Sequence, residues 1–132
     1  MSENGLITIA SHHSVKETID RLEASLMGRG TTIFARIDHA GGATEAGLEL
    51  RPTELIVFGN PKAGTPLMQA KQTIGLDLPL RMLGWQDADG RTWLTYSDIH
   101  WLAKRHGLGS EAASAVDAIA DFLTKLAETA AA

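Results

Sequence analysis

The sequence predicts an α+β domain: one antiparallel sheet carrying two long helices on one face, in the order β-α-β4-α. Three observations lead there. Apolar residues recur at helical spacing near both ends of the chain, strand-like patterns fill the middle, and Asp87-Ala88-Asp89-Gly90 marks a hairpin between two of those strands. Burying both helical stripes against one sheet face satisfies the layer rule.

Leu6 to Ala10 is a short apolar run. Ser14 and Glu17 then form a Ser-x-x-Glu capping box. Val15, Ile19, Leu22 and Leu26 follow on one helical face, with Lys16, Glu17, Asp20, Arg21 and Glu23 on the rest and Gly28 and Gly30 as the stop. Thr31 to Asp38 alternates as a strand, with Ile33, Ala35 and Ile37 on one face and Thr32, Phe34, Arg36 and Asp38 on the other. His39 to Pro52 is glycine-rich, with room for one helical turn around Ala43 to Ala46. Thr53 to Gly59 is β-branched and apolar on both faces, the pattern of a central strand covered twice. Asn60-Pro61 ends it, and Thr65 and Pro66 fit the N-cap and N1 positions of a short helix that Gly75 closes. Leu80 to Gln86 and Arg91 to Ser97 form the hairpin, with Gly90 in the left-handed position of the bend. Asp98 caps a short helix through Arg105, and Ser110 begins a final helix that turns Val116, Ile119, Leu123 and Leu126 inward. The Ala-rich tail is expected to fray.

A chain of 132 residues, 44% hydrophobic and 21% charged, can build one core without a disulfide or metal staple, so residues 1–132 read as a single domain. The absence of cysteine excludes thiol nucleophiles, thiolate zinc sites and iron–sulfur ligation. The N-terminal stretch lacks a basic segment followed by a long apolar one, and no run approaches the ~20 apolar residues that span a bilayer, so the expected setting is the cytoplasm, without membrane contact. A net charge of −4, with the twelve basic residues scattered, argues against a nucleic-acid partner. No cofactor fingerprint is present.

The segment from Ala35 to Asp98 resembles the core of the domain of unknown function 302 family. The resemblance rests on Asp38-His39, Leu48-x-Leu-Arg-Pro, Phe58-Gly-Asn-Pro with Gly64-Thr-Pro-Leu-Met, Asp77-Leu-Pro and Trp93-x-x-Tyr96. It implies a compact α+β domain with the order counted above and a topology similar to that of the TATA-binding protein. It transfers no activity, and a shared topology does not make the chain a DNA binder.

Chemistry-bearing residues converge around Gly59 to Gln69. Gly59-x-x-x-x-Gly64-Thr65 lacks the lysine that a P-loop carries after its second glycine, which argues against a nucleotide triphosphatase. The expectation is a small-anion site made by Lys62 and the Gly64-Thr65 backbone at a helix start, with Asn60, Gln69 and Asp77 close by and Arg36 and His39 at the margin. The plainer alternative is that glycine, proline and threonine only shape a tight connection. Asp38 and His39 are a candidate acid–base pair, and Asp77 a candidate partner for Lys62 or Arg36, so an enzyme using Asp38, His39 or Asp77 is a further alternative. His12-His13, and His100 with His106, lack the i, i+4 face of helical zinc sites, and no metal is expected. Trp85 and Trp93 read as core or interface, and Tyr96 offers a hydroxyl; aromatics at strand spacing are usually core. Phe122, beside the Leu123 stripe, is a candidate seam for a homodimer.

Overall fold

The computed structural model describes residues 4–132. β1 (Leu6–Ser11) leads through the Ser14 cap into α1 (Val15–Leu26), where the Ser14 hydroxyl accepts the Glu17 amide at 3.1 Å. β2 (Thr32–Asp38), α2 (His39–Glu45), β3 (Thr53–Gly59) and α3 (Pro61–Ala70) follow. A 3-10 segment (Gln72–Asp77), β4 (Leu80–Gln86), β5 (Thr92–Ser97), α4 (Ile99–Arg105), a 3-10 turn (Ser110–Ala112) and α5 (Ala113–Ala131) complete the chain. The strands form one antiparallel sheet in the order β1-β5-β4-β3-β2, as the predicted class requires.

One face of that sheet carries the core. Ile56, Phe58, Met82, Leu94 and Tyr96 point from it into the apolar stripes of α1 and α5. Ile19, Leu22 and Leu26 on α1 are fully buried, as are most inward residues of α5. Burial at this scale, about 1.5–3 kcal/mol for each large side chain, is what holds the helices down. α1 lies so close to β4 that a Cβ at Gly84 would stand 3.2 Å from the Ile19 Cδ1.

Several expectations change. β2 carries a bulge between Ile33 and Ala35, so Ile33 faces the helices with Arg36, while Ala35 and Ile37 face the other way. The extra residue is Phe34, which a strict two-residue period cannot anticipate. β3 is not covered twice: it lies beside the edge strand β2, and Leu55 and Val57 sit on the face away from the helices. The helix after β3 starts earlier than its internal Thr65-Pro66 signal, because Asn60 caps it and Pro61 occupies its first turn. It ends at Ala70, and Gly75 falls within the following 3-10 segment. The turn expected at Ala43 to Ala46 is a helix from His39, capped by Asp38 through the Gly41 amide at 2.9 Å.

The C-terminal alanines do not fray. Ala127, Ala130 and Ala131 are buried, and the last carbonyls of α5 are held from across the fold. Arg21 donates from Nε to the Ala130 carbonyl and from Nη2 to that of Thr129, each at 2.9 Å, and the His12 amide reaches Ala131 at 2.9 Å. A cation at a helix C-terminus also opposes the negative end of the dipole.

The β4–β5 bend is organised by Asp87. Its Oδ2 accepts the Trp93 indole N–H at 2.8 Å, and its Oδ1 accepts the amides of Asp89 and Arg91, each at 2.9 Å. The indole bond first, then the backbone bond from Arg91, holds this carboxyl below its ordinary range. A carboxyl depressed in the folded state stabilises above its unfolded pKa of ~3.9 and loses that contribution as pH falls through the folded value. Asp87→Ala is therefore expected to lower the thermal midpoint at pH 7, with the gap from the parent chain narrowing as the pH is taken down below ~3.9. An unchanged gap there would show that the charge is not the source.

Candidate functional site

The connection from β3 to α3 opens on a cavity of about 590 Å³. Its floor is apolar, with Phe58 and Ile119 buried and Leu78, Leu80, Met68 and Phe122 around them. Its exposed rim includes Arg29, Lys62 and Thr65. Five separated stretches supply the walls: the turn after α1, β2 with its bulge residue Phe34, the β3–α3 junction, the 3-10 segment into β4, and α5.

The helix start contributes no free amides to this hollow. Asn60 Oδ1 accepts the Lys62 amide at 3.0 Å, and the Asn60 carbonyl accepts those of Ala63 and Gly64 at 2.9 Å each. Gly64 and Thr65 lie inside the helix rather than at its opening. Positive charge at the site comes instead from side chains. Arg29 and Lys62 line the cavity, no aspartate, glutamate or histidine does, and neither cation has an ion-pair partner among the described residues. Among the described residues the lining holds no carboxylate or imidazole, and Lys62 is its one amine.

Of the residues singled out in the sequence, Asn60, Lys62, Gly64 and Thr65 line the cavity. Arg36, His39, Gln69 and Asp77 do not. Arg36 is occupied elsewhere: it bonds Glu54 through Nε, lies 2.7 Å from Asp20, and reaches Glu23 at 3.5 Å. Burial opposes its charge, but the bonds to Glu54 and Asp20 outweigh that and hold the guanidinium protonated well above its usual range. Asp20 is held below the ordinary carboxylate range by Lys16 first and Arg36 second. His39 is exposed on the first turn of α2, next to the capping Asp38, and Gln69 is exposed on α3.

Asp77 pairs with neither Lys62 nor Arg36. Its carboxylate meets Arg105 Nη1 at 3.2 Å through both oxygens and His106 Nε2 at 2.5 Å, while His106 Nδ1 lies 3.0 Å from the Thr73 hydroxyl. The reason is topological: the 3-10 segment touches both α3 and α4, and Asp77 at its end meets the α4 side. Arg29, Phe34 and the α5 residues of the cavity were missed in the sequence. Arg29 sits unmarked between two stop glycines, and α5 is distant in the chain. Phe122 lines this cavity. No cluster of three or more histidines or carboxylates suited to a metal occurs among the described residues.

Comparison with known proteins places this geometry in a family. The model of the domain of unknown function DUF302 matches residues 7–126. A crystal structure of an uncharacterized conserved DUF302 protein from Bacillus stearothermophilus superposes with a TM-score of 0.83 at 20% identity, covering 96% of this chain and 98% of that one, which is a likeness of fold. Among curated proteins, the chain is 55% identical over 117 residues to fluoride-specific ion channel FluC 1 of Brucella suis, covering 89% of this chain and 46% of that one. FluC 2 of Brucella melitensis matches at the same 55% identity over 117 residues, with 43% of its length covered. The matched stretch thus spans less than half of those relatives. No helix among the described residues is long and apolar enough to cross a membrane.

Asp77 is accordingly a tie between the 3-10 segment and α4. Asp77→Ala is expected to cost about 1–3 kcal/mol in a urea titration, the usual range for a lost charged hydrogen-bond partner, and to speed amide hydrogen exchange in α4. Unchanged exchange in α4 would refute that role.

Proposed function

Since the chain belongs to the domain of unknown function DUF302 family, whose name assigns no activity, we propose from the site itself that it binds a small anionic ligand in the cavity between α3 and α5. The supporting observation is the charge of the lining: two cations and no acid among the described residues, in a chain with 16 acidic and 12 basic residues. Lys62 and Arg29 attract the anion, and Thr65 and Thr31 offer hydroxyls beside them. The reading keeps the Asn60–Thr65 corner, moves the source of charge from helix amides to side chains, and takes the cytoplasm as the setting. Arg36, His39, Gln69 and Asp77 drop out of it, because none borders the cavity.

The Brucella relatives are named for fluoride, and fluoride is therefore one anion to test. Transport is not carried over, because the match covers under half of each of those chains. Calorimetric titration with phosphate, acetate and fluoride, at fixed ionic strength, should give saturable binding for at least one of them. Lys62→Ala and Arg29→Ala are each expected to weaken it about fivefold, equivalent to about 1 kcal/mol for an exposed charged contact. Heats that stay flat across the panel, or that are indifferent to both substitutions, would remove the reading.

A second reading, self-association, is favoured by the sheet face that carries no helix. Ile37, Leu55, Val57, Leu83, Trp85 and Trp93 share it, with Ile37 41% exposed and Trp85 stacked on Trp93 at 6.3 Å. Apolar side chains on such a face, here interspersed with Thr53, Arg81 and Thr95, can pair with their own copy about a two-fold axis. Sedimentation equilibrium is expected to give a dimer that Leu83→Lys converts to monomer. A parent chain that stays monomeric at ~100 μM would exclude a dimer of micromolar affinity and remove this reading.

A further inference from the structure

We infer that the ligand of this cavity is an amphiphile: an organic anion whose unbranched apolar tail lies against Phe58 and Ile119 while its charged head stays at the Arg29 and Lys62 rim. The inference rests on the anion reading above and adds the body of the ligand to it. Three observations carry it.

The first is size. A cavity of about 590 Å³ has room for roughly twenty water-sized groups, far beyond one inorganic anion. It falls within the ~300–1,000 Å³ range of small-molecule sites.

The second is the gradient of chemistry from rim to floor. The exposed lining residues include Arg29, Lys62 and Thr65, whereas the deep ones, Phe58, Ile119, Leu78 and Met68, offer hydrocarbon, ring and thioether. Asn60 Oδ1 is already committed to capping α3, which leaves its amide Nδ2 as the polar side-chain group on that wall beside the rim. Water in the deep part would therefore lack the two to four polar partners that make a buried water stable. A sugar or nucleoside body would lose its hydrogen bonds there, and an alkyl chain loses none.

The third is charge complementarity. Among the described residues the charged side chains of the lining are the two cations, so a neutral lipid would leave them unused and a cationic amphiphile would be repelled. We commit to the free monomeric anion with a carboxylate head rather than a bilayer surface, because the acidic balance of the chain opposes an anionic membrane.

The test is calorimetric titration of the whole chain with n-alkyl carboxylates from butanoate to dodecanoate, below their micellar concentrations. Affinity is expected to rise up to about fourfold per added methylene and then level off once the cavity is full. The matching n-alkanols should bind at least tenfold more weakly, a gap that Lys62→Ala with Arg29→Ala closes. Ala118→Trp, at an exposed position of α5 that borders the cavity, should flatten the chain-length series while leaving the binding of phosphate or acetate intact. If that variant fails to fold, the series on the parent chain decides alone.

A flat series with short anions still bound overturns the inference and spares the anion reading. A rising series in which alkanols match carboxylates overturns both, since the cations would then play no part. No binding of any probe also overturns both. Binding to dodecanoate-containing vesicles but not to the free monomers would overturn the inference in favour of a membrane surface.

Discussion

A five-stranded sheet with one face to cover is the constraint on which the rest of this structure depends. Two long helices supply the cover, and they do so by bringing α1 close enough to β4 that a Cβ at Gly84 would press on the Ile19 side chain at 3.2 Å. Ile19 and Leu22 from α1, and Val116, Ile119 and Leu123 from α5, meet Ile56, Met82 and Tyr96 in one core. Two helices do not reach every corner of such a sheet. Near the end of β3 the cover passes to α3, a shorter helix with Pro66 inside it and only Leu67 fully buried. The cavity lies at that corner, between α3, α5 and the ends of β2 and β3.

Interiors are packed to near crystalline density, so an apolar hollow of this size is a feature to be explained. It forfeits contacts that a few larger side chains on α5 would have made. Ala115 and Ala118 stand there instead of leucines, and Gly64 of α3 also lines the hollow, with 3.6 Å between its virtual Cβ and the Leu78 Cδ1. Small residues on two facing helices leave room for an occupant.

The electrostatics divide the molecule in the same way. Arg36 is surrounded by Glu54, Asp20 and Glu23, and Arg105 by Asp77, so these guanidinium groups tie strands and helices together. Arg29 and Lys62 stand outside any such network among the described residues and share one rim. In a chain of net charge −4 the two paired arginines tie elements of the fold together, and the cations at the cavity take part in no such pair among the described residues. Counting charges along the sequence cannot separate the two groups, because pairing is decided by neighbours more than a dozen residues away.

What the sequence by itself determined is local. The Ser14 cap, the stripes of α1 and α5, the Asp87–Gly90 bend and the Asp98 cap were legible because each depends on residues within one or two turns of one another. The family, too, was readable from short motifs between Asp38 and Tyr96. Only the tertiary structure decided where Asp77 finds its partners, that the last alanines are clamped by Arg21, and that Phe34 leaves the period of its strand at a bulge. The cavity belongs to that second class. Its walls come from five stretches between Arg29 and Phe122, and no period or cap in any one of them records the presence of the others.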